Sequence, residues 1–261
     1  MKKILDIILW MVLTGGLLVL LGFALADYRH AKCSQVEIVL SDSCTAGFIV
    51  EQDIRQIIVS HFGVIQGQLL DSINTDTLES ILRNNAYLSN ADVVKSITGI
   101  IRIRAEREEP LVRIVNVAGE GFYMSRRGSL LPLSHDYVPR LPVASGAISE
   151  SYHSGACYAQ YIVDKPGASP LSSMEALHYL CTQLASHPVL SKHIVQIYFD
   201  PDGEIELVPA DGSHIILIGD VSNLPYKFRK LLAFYRAGQD EAPGGYSVVN
   251  LKYSNQVFCK K

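Results

Sequence analysis

Signatures of enzyme chemistry are missing from this 261-residue sequence. It has no G-x-S-x-G elbow, P-loop, G-x-G-x-x-G turn or H-E-x-x-H pair. That leaves no strained nucleophile, phosphate cradle or paired metal-binding histidines on a helix. It also lacks an excess of either charge: 23 Lys and Arg face 26 Asp and Glu, for a net charge of −3. A general nucleic-acid binder needs a basic face to neutralise phosphates and is excluded on that ground. Charged residues make up only 19% against 48% hydrophobic, the reverse of a disordered chain. Gly (19) and Pro (11) are too few for collagen-like or proline-rich segments, and no internal repeat is present.

Three small groupings come nearest to chemistry. His178-x2-Cys181, with His187 and His193, supplies metal donors at a spacing that matches no common zinc pattern, and reads as ordinary buried side chains. Asp200-x-Asp202-Gly203-x2-Glu206 lacks the third carboxylate and the length of a calcium loop, and reads as a hairpin turn. His135-Asp136 and His153-Ser154 are fragments of a triad with no nucleophile elbow to complete them. No catalytic, cofactor-binding or metal-binding residue is assigned. Function therefore falls to surfaces.

What is present begins with Ile7–Ala26, a run of 20 residues without a charge. As a helix it spans roughly 30 Å, the thickness of a bilayer's hydrocarbon core. Trp10 and Tyr28 suit the two interfaces. A cleaved signal peptide is the rival reading, with Lys2 and Lys3 as its basic start and Ala24-Leu25-Ala26 as its cleavage site. The apolar run is longer than a usual signal core, so an uncleaved anchor at 7–26 after a cytoplasmic head at 1–6 is expected. Flanking charge is nearly balanced, Lys2 and Lys3 against Arg29 and Lys32. A short head and long tail favour an internal N-terminus and an exported bulk. Cysteine is sparse and odd in number, at five. Cys33 and Cys44 could close a small loop in an oxidising periplasm, or stay as thiols. Cys157, Cys181 and Cys259 lie far apart in the sequence and read as buried residues or free thiols.

Beyond the anchor, Val36–Leu40 reads as a strand, and Phe48–Phe62 as a helix with Val50, Ile54, Ile57, Ile58 and His61 at helical spacing and Gly63 as its stop. Asn74-Thr75 opens a second helix, with Leu78, Ile81 and Leu82 on one face and Glu79 four residues before Arg83. Val93–Lys95 and Ile101–Arg104 are strands, the latter alternating apolar and basic residues so that one face is solvated. This strand-helix-helix-strand-strand order makes a small α+β domain. After Pro110 strands dominate: Leu111–Val117, Gly121–Met124, Leu130–Leu133, an extended Arg140–Val143, Ile194–Phe199, Glu204–Val208 and Ile215–Gly219. Helices are expected at Ser172–Leu184, capped by Ser172 or Ser173, and at Leu224–Tyr235. After Gly244-Gly245, Tyr246–Tyr253 is the last strand, which Gln256–Cys259 would continue after a turn at Asn255.

Taken in order, these segments resemble the FtsQ/DivIB family of bacterial cell-division proteins. Phe48–Ile54, Ser72–Thr75 with Leu78-Glu79, Ala91–Lys95 and Gly99–Ile103 are similar to segments of its POTRA domain. Glu106-Arg107 with Glu109–Ile114 resembles the family's domain junction. Tyr123–Ser134 and Arg140–Gly146 resemble the opening of its β-domain, with Arg127 where an acidic residue is usual. Lys227–Leu231, Phe234-Tyr235, and Asn250–Val257 with Cys259–Lys261 resemble its late helix and C-terminal strand. The resemblance implies an α+β protein: an N-terminal transmembrane helix, a POTRA domain at 34–108, and a mostly β domain with flanking helices at 109–261.

It also implies a non-catalytic scaffold in the cytoplasmic membrane at the division septum, bridging early and late division proteins and binding an FtsB/FtsL-like pair, with no cofactor. A POTRA-containing export or outer-membrane assembly factor is the alternative; such proteins usually carry several POTRA repeats. The physical account of partner binding is strand addition to a sheet edge. The expected surface is Val248, Val249, Asn250, Leu251, Lys252, Tyr253, Ser254, Val257 and Phe258, on the premise that the last strand lies at the edge. Alternation would bury Val249, Leu251 and Tyr253 and leave Lys252 in solvent. The charge-free run makes one expectation directly measurable. Mass spectrometry of the membrane-extracted protein should recover the intact N-terminal peptide, whereas a mature N-terminus at Asp27 would establish cleavage.

Overall fold

The computed structural model describes residues 10–20, 22, 31–41, 47–159, 172–212, 214–238 and 245–261. They form two compact units, divided between Arg107 and Glu108, each with its own apolar core. Residues 10–20 are helical with exposed apolar side chains. Among the described residues no helix is long and apolar enough to cross a membrane. Residues 7–9, 21 and 23–26 of the expected anchor lie outside the described residues.

The first unit runs β1 (Gln35–Leu40), α1 (Glu51–Phe62), α2 (Thr75–Arg83), β2 (Leu88–Lys95) and β3 (Ile100–Arg107). The sheet order is β1-β3-β2, with β3 parallel to β1 and antiparallel to β2. In α1, Ile54 and Ile58 are buried, while Val50 and His61 are exposed, so the buried stripe is narrower than the spacing suggests. Asn74 caps α2 by accepting the Thr77 N–H at 3.1 Å. Leu78 and Leu82 then enter the core with Ile101 and Ile103 of β3, each such burial contributing roughly 1.5–3 kcal/mol. Arg102 and Arg104 alternate with them on the solvated face.

Residues ahead of β1 also belong to this unit. Cys33 is buried in its core, its N–H bonds the Gln68 carbonyl at 2.8 Å, and the Leu70 N–H bonds Ala31. Its thiol is free, and burial pushes its pKa up. Cys44, the other half of the considered disulfide, lies outside the described residues.

The second unit contains β4 (Pro110–Val115), β5 (Gly121–Ser125), β6 (Leu130–Leu131), β7 (Val143–Gly146), α3 (Ser173–Ala185), the single-turn α4 (Leu190–His193), β8 (Ile194–Phe199), β9 (Ile205–Pro209), β10 (Ile215–Gly219), α5 (Leu224–Gly238), β11 (Val248–Asn250) and β12 (Phe258–Lys260). The strands form one mixed nine-stranded sheet in the order β12-β11-β10-β9-β8-β7-β4-β5-β6. Ser172 and Glu175 cap α3 reciprocally, the Ser172 hydroxyl taking the Glu175 N–H at 3.2 Å and the Glu175 carboxylate the Ser172 N–H at 2.9 Å. Leu177, Leu180 and Leu184 of α3 and Leu224, Phe228 and Leu231 of α5 pack in one core with Ile197, Phe199, Leu207, Ile216, Ile218 and Val249 of the sheet. Gln196 and Tyr198 alternate with the core residues of β8 and are exposed.

Near the start of β4 the Glu109 carboxylate accepts two bonds from the Arg126 guanidinium, at 2.8 and 2.9 Å. This ties the β5–β6 turn at Arg126-Arg127-Gly128 to residue 109, and holds the Glu109 pKa below its ordinary value. The contact is made by Arg126 and not by its neighbour Arg127.

Two expectations for the C-terminal segment are corrected. The strand after Gly244-Gly245 is not Tyr246–Tyr253 but only Val248–Asn250, because the Asn250 amide oxygen takes the Lys252 N–H at 2.9 Å and begins to turn the chain. Gln256–Cys259 does not continue that strand. The chain reverses at Tyr253–Asn255, with Asn255 at φ 60°, and β12 returns antiparallel to β11. The last strand expected from sequence is thus an interior strand, and β12 is the edge.

Gly146, at the end of β7, has φ +100°, and a Cβ there would sit 2.0 Å from the Phe199 carbonyl oxygen of β8. Two backbones approach each other where only glycine fits. Gly146→Ala should lower unfolding stability by about 3 kcal/mol, through backbone strain plus forced separation of β7 and β8. Denaturant melts of the two proteins check this.

Candidate functional site

With no catalytic constellation in the sequence, the site question becomes which polar backbone is left without a partner. A terminal strand of a sheet exposes N–H and C=O groups on one side, and proteins generally cover or blunt such edges. In the first unit the β2 edge is covered by α2. The Glu79 carboxylate accepts the Val93 N–H at 2.8 Å, and the Arg83 Nε donates to the Ala91 carbonyl at 2.9 Å. Glu79 and Arg83 also pair at 3.4 Å, and Arg83 reaches Asp92 at 3.3 Å. The helix pair visible in sequence therefore closes a sheet edge.

At the β6 end of the nine-stranded sheet, residues 156–158 do the same. The Leu130 N–H bonds Ala156 at 3.0 Å, the Tyr158 N–H bonds Gly128 at 2.9 Å, and Ser129 bridges to Cys157. The β12 end differs. The Lys260 carbonyl accepts the Ser247 N–H at 2.7 Å, so the Lys260 backbone faces β11. On the β10 side, Ser247 accepts from Ile215 and Leu251 donates to Leu217, which leaves the Val248 and Asn250 backbones to face β12. Two-residue alternation then points the N–H and C=O of Cys259 outward. Among the described residues nothing bonds them.

The expected partner-binding residues divide on this frame. Val249 and Leu251 are fully buried and serve the core. Val248 and Asn250 are half-buried within the β11–β12 ladder. Lys252, Tyr253, Ser254 and Phe258 are exposed, and Val257 is half-buried against the core. Tyr253 departs from the alternation that would bury it, because the strand ends at Asn250. Its ring, 55% exposed, meets that of Phe258, 52% exposed, edge-on at 5.1 Å. The outward backbone of Cys259 and the exposed Lys260 were not marked by sequence. Their signal was the β12 reversal, which a turn at Asn255 implied. Cys259 itself is a free thiol whose side chain packs against the core.

The other groupings have structural places. His178 is buried, with its Nε2 3.0 Å from the Arg126 carbonyl, and burial pushes the Cys181 thiol far up. Among the described residues no group of three or more His, Cys, Asp or Glu could hold a metal ion. Asp200–Gly203 is a hairpin turn, closed by the Gly203 N–H on the Asp200 carbonyl and the Glu204 N–H on the Asp200 side chain.

Lys252, two residues beyond the end of β11, is exposed, and it is ion-paired with Glu204 of the β8–β9 turn. The bond its ammonium donates to that carboxylate raises its pKa, and Asp200 adds to the field. Lys252→Glu would set like charges against each other at an exposed site. The melting temperature should fall by a few degrees at low salt and less at high salt, and the Glu204→Lys exchange in the same chain should restore it.

Residues 109–260 match the family model described as FtsQ/DivIB, C-terminal related, and residues 31–106 match that of the POTRA-like domain. No curated protein matches the chain. The β-α-α-β-β first unit and the mostly β second unit agree with this pair of matches. As the first match alone takes in more than half of the chain, the protein belongs to the FtsQ/DivIB family.

Proposed function

We propose that the chain is a non-catalytic scaffold of the bacterial divisome that offers strand β12 to a partner chain for strand addition. The family is division-associated, and its domains are of scaffold type. One observation carries the binding mode: β12 is the end of the nine-stranded sheet that no described residue covers, while the β6 end is closed. The exposed Tyr253–Phe258 pair beside it supplies apolar contact of the kind that anchors interfaces. The partner is an FtsB/FtsL-like bitopic pair at the septum. The charge-free run at 7–26 supports a single anchor in the cytoplasmic membrane with the two folded units outside.

In this reading Cys259 gives the partner its N–H and C=O, while Phe258 and Lys260 hold β12 to β11. Cys259→Pro removes an outward N–H without touching the ladder to β11. One hydrogen bond is worth roughly 1 kcal/mol net, and the proline ring also blocks close approach, so affinity should drop at least about tenfold. The measurement is capture of a purified FtsB/FtsL-like pair by the full chain, with circular dichroism as the folding control. Undiminished capture by a folded Cys259→Pro protein would remove β12 from the interface.

A further inference from the structure

The turn that joins β11 to β12 is tied down by helix α5. The Lys230 ammonium donates to three carbonyls of that turn, Leu251 at 2.8 Å, Tyr253 at 2.6 Å and Gln256 at 3.3 Å. One turn earlier on the same helix, the Tyr226 hydroxyl donates to the Asn255 side-chain oxygen at 2.5 Å and accepts the Asn255 N–H at 3.2 Å. The Lys230 ammonium also lies over the Tyr226 ring, 5.3 Å from its centroid. Asn255, gripped from both its side chain and its backbone, is one of two non-glycine residues with positive φ among those described. Asparagine tolerates that left-handed conformation better than most residues.

These contacts are specific in kind. A lysine ammonium has three donors and no acceptor, so it can satisfy several carbonyls converging from one turn. An aliphatic stem of the same length would leave all three without it. Burial lowers the Lys230 pKa and nearby Lys227 lowers it further, in keeping with an ammonium taken partly out of water to serve these carbonyls. Lys227 acts elsewhere. It is buried and holds the Asp220 carboxylate at 2.6 Å and the Asp220 carbonyl at 2.9 Å, at the start of the loop into α5.

We infer that Tyr226 and Lys230 are positioning residues that set the register of the edge strand β12 and thereby its readiness to accept a partner strand. This rests on the strand-addition reading for its functional half. The structural half stands alone: no other side chain among those described hydrogen-bonds residues 253–257. The bonds at Leu251, Tyr253, Asn255 and Gln256 fix the path of the turn. The position of Phe258 opposite Asn250 follows from that path.

The test compares wild type, Lys230→Met and Tyr226→Phe as full-length protein, first without any partner. Hydrogen exchange resolved by peptide should show residues 255–261 opening at least tenfold faster in Lys230→Met and severalfold faster in Tyr226→Phe. Exchange in β4, β5, β8 and β9 should stay at the wild-type rate. Unchanged exchange at 255–261, or acceleration spread evenly across the unit, would overturn the positioning role. In a second arm, capture of a purified FtsB/FtsL-like pair should weaken in the order Tyr226→Phe then Lys230→Met, at unchanged melting temperature. Equal capture by all three proteins would also overturn it. Failure of wild type itself to capture the pair would refute the strand-addition reading, while the exchange arm still decides whether Lys230 and Tyr226 hold the edge.

Discussion

Each end of a β-sheet leaves a row of backbone donors and acceptors that must be paired, covered or offered, and much of this protein is arranged around that requirement. Helix α2 places Glu79 and Arg83 against β2 so that a side-chain carboxylate and guanidinium replace a missing strand. The segment at 156–158 does the same for β6 with its own backbone. Against the closed β6 end of the same sheet, the outer side of β12 is left open among the described residues. A sheet that covers one end and presents the other has a direction of growth. In the proposed scaffold role, that direction is the working surface.

The sequence made the element types legible where periodicity was strong. Ile101–Arg104 alternates apolar and basic residues, and the structure puts Ile101 and Ile103 inside with Arg102 and Arg104 outside. A helix capped by Ser172 or Ser173 is expected, and Ser172 is the cap, with Glu175 closing it reciprocally. The site was legible only in part. Val248–Tyr253 reads as one strand because its residue types are continuous. What ends it at Asn250 is a local competition, in which the Asn250 side chain bonds the Lys252 N–H and draws the backbone out of the ladder. Single-sequence patterning does not weigh such bonds against strand propensity, so strict alternation would bury Tyr253, which was also expected at the partner surface, whereas the early end of the strand leaves it in solvent. Strand order is harder still. Nothing in the types of residues 256–260 says that they pair with β11 from the far side, since that depends on where Lys230 holds the turn.

The basic character of α5 shows how a surface-looking pattern can be structural. Lys227 and Lys230 sit three residues apart beside the core residues Phe228 and Leu231, and read as the solvated flank of an amphipathic helix. In the fold neither serves as plain surface charge. Lys227 is buried against Asp220, whose carboxyl is pushed up by burial but held below its ordinary value by bonds from Lys227 and Ser222. Lys230 reaches past the helix to the turn carbonyls. Long aliphatic stems allow both, covering apolar surface while the ammonium finds its acceptors.

This arrangement bears on how strongly an edge strand can bind. Fixing a residue's backbone costs roughly 1–2 kcal/mol in conformational entropy, and a turn as long as 251–257 holds several such residues. If that turn were loose in the free protein, a partner strand would have to order it on arrival, and much of the contact energy would be offset. With Tyr226 and Lys230 bonded to it, the ordering is incurred when the chain folds, where the core of α5 and β11 offsets it. In the proposed strand addition a partner would then meet a preorganised edge, and its backbone hydrogen bonds and contact with Tyr253 and Phe258 would enter the affinity nearly undiminished. The same logic explains why the buried parity of β11 matters to a surface function. Val249 and Leu251 are wholly inside, and their packing keeps β11 rigid enough for β12 to stand against it.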